Sequence, residues 1–112
     1  MLKIYVDSSY DWTTTSLDGT GEGEICIFIP SKNKIYRKKL TLNFPGLKQL
    51  NNRFELEAIK AALKLTGKKD FIIYSDSKIA VSWINNPNVK WVSREKNLAG
   101  QILKNYPYKK PY

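Results

Sequence analysis

Residues 51–67 read as one amphipathic helix with a carboxylate in the middle of its apolar face, and any fold must satisfy both properties at once. Asn51 or Asn52 is a suitable N-cap, acidic residues in the first turn suit the helix dipole, and Gly67 is a natural C-terminal stop. At about 100° per residue, Glu57, Lys60 and Lys64 share a polar face, whereas Ala58, Ile59, Ala62 and Leu63 share an apolar one. Glu55 falls inside the apolar face. Burying it ionised costs several kcal/mol unless a partner compensates. Two partners fit its position: a metal ion, or the backbone of the first turn in a capping-box contact. Glu57 reads as an ordinary solvated helix residue.

The flanking segments supply a sheet for that helix. Leu2–Val6 alternates and is rich in β-forming residues, a first strand that ends at Asp7-Ser8-Ser9. Residues 10–23 read as a polar loop, with the glycines of Asp18-Gly19 and Gly21-Glu22-Gly23 forming a hairpin turn. Glu24–Ile29 is a nearly continuous apolar strand, and Pro30 ends it. Ile35–Phe44 is a third strand whose Arg37, Lys38 and Lys39 suit a sheet edge. After the helix, Asp70–Ser75 is a buried strand ending in Asp76-Ser77. A second helix spans Lys78–Ile84, Val89–Val92 is a short fifth strand, Ser93–Lys96 a loop, and Asn97 caps a final helix reaching Leu103. Trp83 and Trp91 lie in apolar patterns and read as core. Residues 106–112 form an irregular tail.

An antiparallel meander followed by right-handed βα units gives an α/β fold, a five-stranded mixed sheet with helices packed on it. In it the first and fourth strands are parallel neighbours. Asp7 and Asp76 then lie side by side at their C-terminal ends, where open α/β sheets place functional groups, and Glu55 can face them. Each aspartate by itself is equally an ordinary turn residue.

A chain of 112 residues makes one domain, residues 1–112. No stretch approaches the ~20 apolar residues of a membrane-spanning helix and none reads as a signal peptide. The single Cys26 sits in an apolar strand, so an intracellular chain is expected. Nineteen Lys and Arg against ten acids give a net charge of +9, which favours a polyanionic partner, nucleic acid or an anionic membrane surface, over a protein merely kept soluble by charge. The absence of histidine excludes Ser-His-Asp and Cys-His chemistry, leaving carboxylates, lysines or metal.

Three carboxylates meeting at one place repel unless a cation joins them. An oxygen-only donor set suits Mg²⁺ or Mn²⁺. Such a centre supports phosphodiester hydrolysis, with two ions about 3.5–4 Å apart clamping the attacking and leaving oxygens.

The segments Ile4-Tyr5-Val6-Asp7-Ser8-Ser9, Asn51-Asn52-Arg53-Phe54-Glu55-Leu56-Glu57-Ala58, Ile73-Tyr74-Ser75-Asp76-Ser77 and Trp91-Val92-Ser93-Arg94-Glu95-Lys96-Asn97 run in an order and spacing that resemble type 1 ribonuclease H, within the retroviral-type ribonuclease H-like superfamily. The resemblance spans nearly the whole chain. It implies strand order 3-2-1-4-5 and hydrolysis of the RNA strand of RNA–DNA hybrids with Mg²⁺ or Mn²⁺, through two ions. By the same resemblance, Asp7, Glu55 and Asp76 are catalytic metal ligands. Ser8, Ser9, Asn51, Asn52 and Ser77 are implied to contact substrate, the asparagines at the minor groove where 2′-hydroxyls distinguish RNA from DNA. Trp12, beside Asp11 in the loop after the first strand, is a further candidate for touching substrate. The chain departs from the family in reading Asp7-Ser8-Ser9 for Asp-Gly-Ser, and in lacking a catalytic-loop histidine and a basic handle. It also places Gly100 and Gln101 where the family pattern Asn-x-x-Ala-Asp has its alanine and aspartate. Gln101 offers a carbonyl oxygen to a metal but no charge, and Glu95 and Asp11 are the carboxylates available to substitute. The alternative function is a degenerate family member that binds nucleic acid or a protein without cutting. Lys38-Lys39, Lys68-Lys69 and Lys109-Lys110 are candidate phosphate contacts.

Overall fold

In the computed structural model, which describes residues 1–11, 13, 16, 19–43, 50–67 and 70–105, strand β1 (Leu2–Asp11) is the hub of a five-stranded sheet. It pairs antiparallel with β2 (Thr20–Ile29), which pairs antiparallel with β3 (Lys34–Asn43). On its other side β1 pairs parallel with β4 (Phe71–Ser75), and β4 pairs parallel with β5 (Val89–Trp91). The order is β3-β2-β1-β4-β5, as expected. Among the described residues, three α-helices complete the fold: α1 (Leu50–Thr66), α2 (Lys78–Ile84) and α3 (Leu98–Asn105).

Side chains alternate across a strand, so the two faces of β1 carry different residues. Ile4 and Val6 face α1 and join Ile25, Ile27, Ile29, Ile59, Ala62 and Ile73 in the main core. α2 lies beside α1, while α3 packs on β1 and β2 against the face carrying Asp7. β3 is an edge strand, mostly exposed, whose half-buried Arg37 holds the buried Glu24 of β2 through two charge-assisted contacts at 2.6 and 2.8 Å. Cys26 is fully buried and free, and burial pushes its thiol up to about 11. Among the described residues, no helix is long and apolar enough to cross a membrane.

Several expected boundaries move. β1 does not stop at Asp7 but continues to Asp11, and β2 begins at Thr20, so residues 10–11 and 20–23 are strand rather than loop. The polar residues Asp7 to Asp11 stay extended because they pair with Cys26 to Glu22, a ladder that their own polarity conceals. Gly21 and Gly23 therefore lie in a strand and not in a turn; the turn uses Gly19, at φ +90°. Gly23 is required by packing, since a Cβ there would lie 2.7 Å from the Ser9 carbonyl and 2.9 Å from the Phe54 ring. α1 starts at Leu50, which puts Asn51 and Asn52 inside its first turn rather than at the N-cap, and that turn holds no acid. Gly67 does end the helix, at φ +58°. β5 ends at Trp91, and α3 runs to Asn105, past Leu103. Trp83 and Trp91 are not core: they are 38% and 47% exposed, because α2 buries only Ala80 and β5 is the last strand of the sheet. Trp12, Lys68, Lys69 and the tail 106–112, with Lys109 and Lys110, lie outside the described residues.

Candidate metal centre and its cleft

The last parallel pair between β1 and β4 is Tyr5 with Tyr74. Beyond it the two strands part. β1 continues in its ladder with β2, whereas β4 ends at Ser75 and the chain bends through Asp76 into α2, which Ser77 caps by accepting the Ala80 N–H at 3.1 Å. Asp7 and Asp76 are each two residues past that final pair, at equivalent positions flanking the opening. Glu55 enters from the second turn of α1. One carboxylate oxygen from each of Asp7, Glu55 and Asp76 lies within 4.8 Å of the others.

Glu55 is 8% exposed, as its place on the apolar helix face required. Its contact is neither a capping box nor a salt bridge. Oε1 accepts the backbone N–H of Ser8 at 3.0 Å and the Ser8 hydroxyl at 2.5 Å. Oε2 is buried and receives no hydrogen bond from the protein. Burial, reinforced by the neighbouring Asp7 charge, pushes the Glu55 carboxyl far above the usual carboxylate range. Burial likewise raises Asp7, reinforced by the Asp76 charge and opposed by its neighbours Glu55, the Ser8 backbone and the Arg94 charge. The unfilled Oε2, the all-oxygen donor set and the mutual repulsion of three acids are satisfied together by a divalent cation, so these residues fit one.

α3 closes the centre from the other face of β1. A Cβ on Gly100 would sit 2.8 Å from Asp7 Oδ2, so the helix backbone approaches this carboxylate as closely as only glycine permits. Gln101 lines the same cleft, with its amide nitrogen donating to the Glu95 carbonyl at 3.0 Å. Among the described residues, neither Glu95 nor Asp11 joins the carboxylate group; Asp11 instead accepts from the backbone N–H of Thr13 at 3.1 Å. Asn97 is fully buried and donates to the Val6 carbonyl at 2.8 Å and to Asp76 Oδ2 at 3.3 Å. Its capping role was legible from sequence, but this second role was not.

The three acids open into a cleft of ≈ 1090 Å³. Asn51, Asn52 and Ser77 line it, and the Ser77 hydroxyl donates to Asn52 Oδ1 at 3.3 Å. Lys78, Arg94 and Lys104 line it as well, giving the cleft a cationic rim around an acidic floor. Ser8 is committed to Glu55, and Ser9 is exposed on β1 opposite Glu24. Trp91, expected in the core, lines the cleft with the Lys78 ammonium 4.6 Å above its ring. Its position at the end of a parallel strand was the available signal.

The sequence profile of a family described as RNase H matches residues 1–110. No curated protein sequence matches the chain. Among solved structures, LC11-RNase H1, isolated from compost by a metagenomic approach, is 19% identical over 91% of each chain, with a TM-score of 0.51. The crystal structure of LC11-RNase H1 in complex with RNA/DNA hybrid is 16% identical over 88% of this chain and 89% of that one, with a TM-score of 0.52. The N-terminal RNase H domain of rv2228c from Mycobacterium tuberculosis is 15% identical over 93% and 94%, with a TM-score of 0.49. At these identities the likeness is one of fold.

Proposed function

The chain belongs to the RNase H family, and from that premise we propose that it is a divalent-metal-dependent endoribonuclease that hydrolyses the RNA strand of RNA–DNA hybrids. The observation that carries this reading is the convergence of Asp7, Glu55 and Asp76 within 4.8 Å on the floor of a cleft with a cationic rim. Asp7, Glu55 and Asp76 would hold Mg²⁺ or Mn²⁺. When bound, a divalent cation supplies charge neutralisation and Lewis acidity at the phosphodiester.

The chain's own residues do the rest. Ser8 holds one Glu55 oxygen, and the other stays buried without a hydrogen bond from the protein. Burial favours the protonated forms of the Glu55 and Asp7 carboxyls, and a bound divalent cation would favour their ionised forms instead. Lys78, Arg94 and Lys104 attract the backbone phosphates electrostatically. Asn51 and Asn52 offer amide donors and acceptors at the lip of the cleft, suited to the 2′-hydroxyls of an RNA strand.

The test is cleavage of a labelled RNA–DNA hybrid in Mg²⁺ and then in Mn²⁺, beside DNA duplex and double-stranded RNA. Hybrid-only cutting that disappears in Asp76→Asn, with the variant still folded, is expected. A fully active Asp76→Asn protein would overturn the assignment. One observation favours a second reading, a nucleic-acid- or protein-binding module without catalysis: Gln101, which stands where the family resemblance expects a carboxylate, donates to the Glu95 carbonyl. Tight hybrid binding that persists in chelator, with no cutting in either metal, would select it.

A further inference from the structure

Asp76 is held at both ends by the segment that runs from β5 into α3. At its backbone, the Trp91 indole N–H donates to the Asp76 carbonyl at 3.2 Å, next to the Val92 N–H bonded to the Ser75 carbonyl at 2.9 Å. At its side chain, Asn97 Nδ2 donates to Asp76 Oδ2 at 3.3 Å and, at 2.8 Å, to the carbonyl of Val6, the residue before Asp7. The Asn97 amide cannot turn over without loss, because its Oδ1 accepts the Ala99 N–H at 3.1 Å. One fully buried neutral amide thus ties together β1, the end of β4 and the start of α3.

We infer that Asn97 is a positioning residue for the Asp76 carboxylate, with Trp91 fixing the same residue's backbone. The inference rests on the metal-centre reading given above. A neutral donor restrains rotation of the carboxylate and leaves its charge intact. A lysine or arginine in the same place would neutralise Asp76 and compete with the cation. Groups that orient a metal ligand in this way govern how well the site holds its ion. The arrangement also gives α3 a part in the centre that needs no acid at position 101.

The test is calorimetric titration of Mg²⁺ into the wild-type protein, Asn97→Ser and Trp91→Phe, with thermal melts in EDTA. Serine retains an oxygen able to cap the Ala99 N–H but is too short to reach Val6 and Asp76 together. Phenylalanine keeps an aromatic side chain at position 91 but replaces the indole by a smaller ring that has no N–H to give Asp76. Ile29→Val, in β2 away from the cleft, serves as a variant with a purely structural defect. About tenfold weaker Mg²⁺ binding is expected for Asn97→Ser and a smaller loss for Trp91→Phe, with Ile29→Val binding as wild type. Wild-type affinity in both site variants, or an equal loss in Ile29→Val, would overturn the inference and leave the metal centre standing. Should Asn97→Ser fail to fold, Trp91→Phe decides, since Trp91 is 47% exposed. A wild-type protein that binds no Mg²⁺ overturns the metal centre and the inference with it.

Discussion

Glu55 of α1 takes both the N–H and the hydroxyl of Ser8 of β1 on a single oxygen and keeps its second oxygen, buried, without a hydrogen bond from the protein. The carboxylate is therefore oriented but only half satisfied. Ser8→Ala removes one of the two donors without disturbing the strand. It is expected to cost about 1 kcal/mol of stability in chelator, read by urea denaturation, and to weaken Mg²⁺ binding.

Gly100→Ala separates fold stability from the centre. In a helix the change normally stabilises by about 0.5–1 kcal/mol. Here the new Cβ would meet the mobile end of Asp7, at 2.8 Å from Oδ2, so the carboxylate must swing away. The melting temperature in EDTA is expected to stay within a few degrees of wild type, while Mg²⁺ affinity and hybrid cleavage fall by about tenfold. Wild-type Mg²⁺ affinity in this variant would show that the close approach is incidental.

The raised Asp7 and Glu55 carboxyls fix the sign of a pH effect. Burial is the first cause of both shifts, and the two groups bind protons more tightly in the folded chain than in the unfolded one. Their contribution to stability is full below the ordinary carboxylate range, near pH ~4, and is lost as pH rises through their elevated folded values. Melting in EDTA should therefore fall with rising pH over that window. Saturating Mg²⁺ should flatten or reverse the trend, because the cation displaces those protons. A melting temperature in EDTA that rises across the same window would contradict it.

Gln101→Asp places a carboxylate on the α3 turn that lines the cleft. The expected result is a lower Mg²⁺ concentration for half-maximal cleavage, by about tenfold, at a small cost to folding in chelator from added repulsion. Unchanged metal dependence would mean that position 101 stands too far from the three acids to matter.

The alternation of Ile4 and Val6, the apolar run through Ile25 and Ile27 and the amphipathic face of α1 specified the sheet order and the helix upon it, since periodicity reports local burial directly. Glu55 was recognisable as anomalous because a carboxylate on an apolar face must be compensated wherever the helix docks. Asp7 and Asp76 became neighbours by topology alone, which the order of strands and helices already restricts.

Other features depend on residues far apart in the chain. The extension of β1 to Asp11 comes from pairing with β2, not from the propensity of Ser8, Ser9 or Asp11. The exposure of Trp83 and Trp91 follows from what lies beyond the sheet edge, which an apolar pattern does not encode. Ser8 on Glu55, Gly100 against Asp7 and Asn97 between Val6 and Asp76 are contacts across the fold. By itself the sequence determined the fold family and the three acids, because local patterning and chain order carry that information. Only the tertiary structure decided how those acids are held, because a hydrogen bond between remote segments is specified by distance and angle in three dimensions.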